Sequence, residues 1–129
     1  MYEFKDEYKT GIKKLDDQHK VLFDIADRTY NLLVNDLIVD KYDKIVELIN
    51  ELRDYTVFHF TEEEGYMESI KYKRLFSQKI EHNEFIKKIE SIDFTKIDEE
   101  QNEYIRQILE FLINWLTHHI CNIDKLIGK

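Results

Sequence analysis

A chain of 129 residues with no proline and only three glycines, at positions 11, 65 and 128, contains almost nothing to stop a helix. Proline removes a backbone donor and clashes with the preceding turn, and glycine lowers helix propensity, so their scarcity favours long, uninterrupted helices. Along four segments apolar residues recur at alternating steps of three and four, the spacing of a helix face turned toward a bundle interior. The segments run from about Asp16 to Val34, Asp40 to Glu64, Tyr72 to Ile92 and Asp98 to Ile127. Asp16, Asp40 and Asp98 suit N-caps, because a short carboxylate accepts bonds from the free N–H groups of a first turn. Asn35-Asp36, Gly65 and Asp93 fall between segments and suit loops, which are short enough to make neighbouring helices antiparallel. The expected fold is all-α: an antiparallel up-down-up-down four-helix bundle over residues 16–127, preceded by an N-terminal arm over 1–15, all in one domain spanning 1–129.

The stripes carry more than apolar residues. Leu15, His19, Leu22, Ala26, Thr29 and Leu33 mark the inward face of the first segment, and Ile45, Leu48, Leu52, Tyr55, His59 and Glu63 that of the second. Leu75, Gln78, His82, Phe85 and Ile89 mark the third, and Ile105, Ile108, Leu112, Trp115 and His119 the fourth. Of five histidines in the chain, His19, His59, His82 and His119 therefore face inward, one per helix. His118 points about 100° away from His119 and suits the surface. A single inward histidine is ordinarily a hydrogen-bonded core residue. Four on four helices, with His59 and Glu63 on one face at a four-residue spacing, argue for metal, since buried polar groups must be bonded or coordinated. Imidazole with carboxylate suits iron, zinc or manganese. His119 and Asp124, five apart, lie roughly 140° apart on an ideal helix, so their meeting at one site requires a helix end or an irregularity. Ferritin-like carboxylate sites need Glu-x-x-His pairs, and no histidine here follows a glutamate at that spacing.

Composition narrows the setting. A net charge of -8 argues against non-specific nucleic-acid binding. No apolar run is long enough to span a bilayer, and the N-terminal stretch lacks a secretory core. A single cysteine, Cys121, builds no disulfide framework and suits a reducing, cytoplasmic location; it reads as a buried apolar-like residue. Glu62 and Glu64, on either side of Glu63, read as solvated.

The chain resembles the hemerythrins over nearly its whole length, in particular the single-domain bacterial ones. GIKKLDDQHKVLF at 11–23 resembles the family's first motif, HFTEEEGYM at 59–67 its second, the run from Tyr72 to Phe85 its third and WLTHHICNID at 115–124 its fourth. The resemblance implies two non-heme irons joined by an oxo or hydroxo bridge. Glu63 and Asp124 would bridge both, His19 and His59 would hold one iron, and His82 and His119 the other. The family has a third histidine on the second iron, four residues before the His82 position; here that residue is Gln78, a weak ligand or none. Trp115, Leu116 and Ile120 resemble the family's apolar oxygen pocket, to which Leu22, Phe23 and Phe58 would add. The implied function is binding of dioxygen for storage, delivery or sensing, with peroxide and azide-like anions as further small ligands. The alternatives are a di-iron peroxidase or oxidase, favoured by an under-ligated iron at Gln78, and a non-catalytic metal-binding module. The sequence is consistent with a monomer and does not select an oligomeric state.

Overall fold

The computed structural model describes residues 2–128, and no strand occurs among them. After a short 3-10 turn, Asp6–Tyr8, come α1 (Lys13–Val34), α2 (Tyr42–Ser69), α3 (Leu75–Glu90), the single turn α4 (Phe94–Ile97) and α5 (Gln101–Trp115). The chain then continues without a break through a π-helical stretch, Leu116–Ile123, into a 3-10 turn, Asp124–Gly128. The four long helices form the expected bundle. Lys14 approaches Glu62 while Arg28 pairs with Glu51, so α1 and α2 run in opposite directions. Phe60 packs on Phe85 and Glu63 on His82, which makes α2 and α3 antiparallel as well; Phe85 on Phe111 and His82 on His119 do the same for α3 and the last helix.

Burial follows the stripes with small shifts. Leu22, Ala26, Ile45, Leu52, Phe85, Ile105 and Leu112 are buried in one continuous core. On α1 the stripe closes on Leu32 rather than Leu33, which is half-buried. No helix among the described residues is long and apolar enough to cross a membrane.

The helix ends differ from the sequence expectation in instructive ways. Asp16 lies inside α1 and reaches back to the arm, accepting from the Thr10 N–H at 2.7 Å, the Thr10 hydroxyl at 2.9 Å and the Gly11 N–H at 3.2 Å. It is therefore a buried clamp that fixes the arm, not an N-cap; Gly11 allows the turn by taking φ +90. Asp40 does cap α2, accepting from the Tyr42 N–H at 3.0 Å, with Lys41 as the boundary residue. Asp98 closes α4 instead of opening the last helix, and Asp93 starts α4 by accepting from Thr95 N–H at 3.0 Å. Gly65 is not in a loop. α2 runs through it to Ser69, because one glycine only weakens a helix whose neighbours Glu63 and Met67 are fully buried. The reversal comes at Lys71, which takes φ 54, the left-handed conformation usually given to glycine.

Candidate metal centre

The inward histidines and carboxylates meet near one end of the bundle. His19, His59, Glu63, His119 and Asp124 are completely buried, and His82 and Gln78 are 1% exposed. His19 enters from the start of α1, His59 and Glu63 from the last turns of α2, and His82 from the middle of α3. His119 and Asp124 share a face because the helix that carries them changes its winding. Between Leu116 and Ile123 it is π-helical, and the Asp124 N–H bonds to the His119 carbonyl five residues back. A π turn takes roughly 4.4 residues, so a five-residue step overshoots a full turn by about 50° instead of about 140°. This is the irregularity that the five-residue spacing demanded.

The donors form two overlapping sets. His19, His59, Glu63 and Asp124 make one; Glu63, His82, His119 and Asp124 make the other, and within each set the ligand atoms lie within 4.8 Å of one another. Glu63 and Asp124 belong to both. His19 Nε2 stands 3.1 Å from Glu63 Oε2 and 3.3 Å from Asp124 Oδ2, and His59 Nε2 is 3.2 Å from Glu63 Oε2. On the other side His82 Nε2 is 3.1 Å from Glu63 Oε1, and His119 Nε2 is 3.1 Å from Asp124 Oδ1.

Two of the imidazoles are hydrogen-bonded from behind. His59 Nδ1 lies 2.7 Å from Gln18 Oε1 and His82 Nδ1 2.8 Å from Glu64 Oε2; Glu81 Oε2 stands 3.4 Å from His119 Nδ1, which makes no hydrogen bond among the described residues. The Gln18 and Glu64 oxygens only accept, so those two Nδ1 atoms carry hydrogen and a neutral ring turns its Nε2 lone pair to the interior. His82 Nε2 and His119 Nε2 are 3.2 Å apart. His59 Nε2, His119 Nδ1, Asp124 Oδ2 and Gln78 Oε1 are buried and have no hydrogen-bond partner among the described residues. Electrostatics agree. Burial pushes the His19 imidazole down, but the Asp124 and Glu63 carboxylates outweigh it and hold its pKa at about 9. Burial likewise opposes charge on Glu63, yet His19, His59 and His82 hold its carboxyl well below the usual range. The donors present thus fit two cations that share Glu63 and Asp124.

The chain matches the family described as the hemerythrin HHE cation binding domain over residues 10–129. It belongs to the hemerythrin family. It is 49% identical to the bacteriohemerythrin of Clostridium acetobutylicum, with 97% of each chain covered. It is 28% identical to the bacteriohemerythrin of Methylococcus capsulatus, over 95% of this chain and 89% of that one. The hemerythrin of Themiste dyscrita is also 28% identical, over 95% of this chain and 88% of its own.

Each hemerythrin-like position expected from the sequence lies in the cluster, and Gln78 lies there too. Its amide nitrogen donates to Asp124 Oδ1 at 2.9 Å. Trp115 stacks on His119 with ring centres 4.4 Å apart, and Leu116 and Ile120 are fully buried beside it. Leu22 and Phe23 are buried as expected, but Phe58 is not a wall of this site: it is 48% exposed. Two residues later the helix face has turned inward, and Phe60 stacks on His82 at 4.0 Å. His118 is exposed as expected, whereas Cys121 is only half-buried. Glu64 is not simply solvated, since it holds His82.

The sequence reading gives Glu64 to solvent and assigns no role to Gln18 or Glu81, yet a signal for all three exists. Each is the chain neighbour of an inward residue, and each faces the next helix: Gln18 beside His19 holds a histidine of α2, Glu64 beside Glu63 holds one of α3, and Glu81 beside His82 stands behind the one after α5. A single step turns a side chain about 100°, from the bundle axis toward the adjacent helix. The step is backward on α1 and α3 and forward on α2, as antiparallel helices require for one rotational sense. The fourth position in this sequence is Ile120, which has nothing to offer, and His19 Nδ1 has no hydrogen-bond partner among the described residues.

Proposed function

We propose that this chain is a dioxygen-binding protein with two non-heme irons, serving storage, delivery or sensing. The observation that carries the reading is the pair of donor sets sharing Glu63 and Asp124. His19 and His59 would hold one iron, His82 and His119 the other, with both carboxylates and an oxo or hydroxo group spanning them. Bound there, the two irons supply the electrons that reversible dioxygen binding draws on. The protein's part is to fix the donors and keep water out. Gln18 and Glu64 lock His59 and His82 in the tautomer that presents Nε2. Trp115, Leu116 and Ile120 give the site an apolar wall suited to a small neutral ligand; peroxide and azide-like anions are further candidates. We place the protein in the cytoplasm.

Gln78 makes this a variant site. With its amide nitrogen given to Asp124, it stands where the family resemblance expects an imidazole. Its buried, unpartnered Oε1 is a weaker donor than an imidazole, which favours a second reading, turnover of peroxide. Anaerobic loading with Fe(II), metal analysis and exposure to oxygen separate the two. A coloured form whose oxygen leaves under vacuum, followed by resonance Raman spectroscopy, supports carriage; rapid autoxidation with peroxide consumption supports the enzyme. Uptake of less than two irons per chain would overturn both. In Gln78→His we expect slower autoxidation, and an unchanged rate removes Gln78 from the explanation.

A further inference from the structure

The two cation positions have matching inner donors and unequal support behind them. His59 is backed by a neutral amide at 2.7 Å, and His19 Nδ1 by no hydrogen-bond partner among the described residues. His82 is hydrogen-bonded to a carboxylate at 2.8 Å, and a second carboxylate stands 3.4 Å behind His119 without a hydrogen bond to it. A hydrogen bond to a carboxylate draws the Nδ1 proton away from the ring and makes Nε2 a stronger donor; a bond to an amide does so much less. Anionic support therefore lies behind one position only, and it is the position beside Gln78.

We infer that Glu64, through its hydrogen bond, and Glu81, through its charge alone, are positioning residues that strengthen His82 and His119 as donors, offsetting the imidazole that Gln78 does not supply. The inference rests on the two-cation reading above. Glu64 carries the larger share. Its contact is the shorter, and its side chain is 25% exposed against 32% for Glu81, so water screens it less. Both side chains reach from solvent to a fully buried ring, an arrangement that packing alone does not call for. The neutral pair on the other side gives an internal reference within the same molecule.

Zinc, which has no redox chemistry, tests this without oxygen. The metal-free full chain is titrated with Zn2+ by calorimetry, and nitrogen-15 NMR of the loaded protein reads each histidine ring. In the wild type we expect two equivalents bound and the His82 Nδ1 signal displaced toward imidazolate relative to that of His59. Glu64→Gln should abolish that displacement and weaken one binding step by ~10-fold while sparing the other. Glu81→Gln should do the same for His119 to a smaller extent. Glu64→Asp should recover part of the signal, which a packing defect would not, and Gln18→Glu should displace the His59 signal in its turn. Fewer than two zinc ions on the wild type would overturn the two-cation reading and this inference with it. Two ions, with indistinguishable His82 and His59 rings or with a Glu64→Gln variant that shifts neither, would overturn this inference alone.

Discussion

The same four helices run through both ends of the bundle, but they meet there by different rules. In the half away from the metal centre the interior is Ile25, Leu32, Ile45, Ile49, Leu52 and Ile105, closed so well that the cavity among them measures about 10 Å³. Apolar side chains of this kind favour burial without any partner, at roughly 25 cal/mol per Å² of surface removed from water. In the other half the interior is four imidazoles and two carboxylates, all within 1% of complete burial. Burying such groups is unfavourable unless opposite charge and hydrogen bonds compensate. One end is thus assembled by water leaving, and the other by cations arriving on a frame that the first end holds in place.

That contrast can be broken or sharpened by experiment. Glu63→Gln should have the largest effect, because it removes a charge shared by both cation positions: affinity should fall by ~100-fold or more at each, read by zinc calorimetry, while far-ultraviolet circular dichroism stays that of a helical bundle. A variant that loses only one zinc would show that the positions are independent. Leu52→Ala should act at the opposite end. Leu52 is 2% exposed and lines the small cavity, so its truncation should lower stability by about 2–5 kcal/mol in urea unfolding and leave metal uptake untouched. Coupled loss of metal would mean that the ends are less separate than the packing implies.

Lys41→Met probes a charge buried in the apolar half. Lys41 is 3% exposed and donates from Nζ to the Leu33 carbonyl at 3.1 Å and to Asn102 Oδ1 at 2.9 Å, tying the end of α1 to the start of α5. Two acceptors would lose their donor, and we expect a loss of about 1–3 kcal/mol with no change in zinc binding. The smallest effect should come from Gly65→Ala near the metal end. An added Cβ at Gly65 meets nothing within 4 Å, so the helix should gain about 0.5–1 kcal/mol, seen as a higher melting temperature at the same metal stoichiometry. A loss there would show that α2 depends on flexibility at that point.

The sequence was most legible where one physical rule acts alone. The bundle could be read from the stripes because burial of an apolar face dominates every other term over several turns. The cluster could be read because histidine and carboxylate on such a face need an explanation. Helix ends were harder. Asp16 has the chemistry of a cap, but its partners are Thr10 and Gly11, which only the fold of the arm brings back to it. Gly65 has the chemistry of a stop, and burial on both sides overrules it. Phe58 and Phe60 differ by two positions and about 160° of helix rotation, a distinction that adjacency to His59 could not make. Gln18, Glu64 and Glu81 lay hidden because their targets are on other helices.

The π-helical stretch has a consequence for anyone who would search for this site or move it. At the spacing of an ordinary helix, the carboxylate that shares a face with His119 would stand at position 123, and that residue is Ile123. A template written in four-residue pairs would therefore discard the chain at its last ligand. A designer who copied His119 and Asp124 onto a straight helix would send them to different sides. What has to be transplanted is the overwide turn itself: here the ligand pair is specified as much by how many residues lie between its members as by what they are.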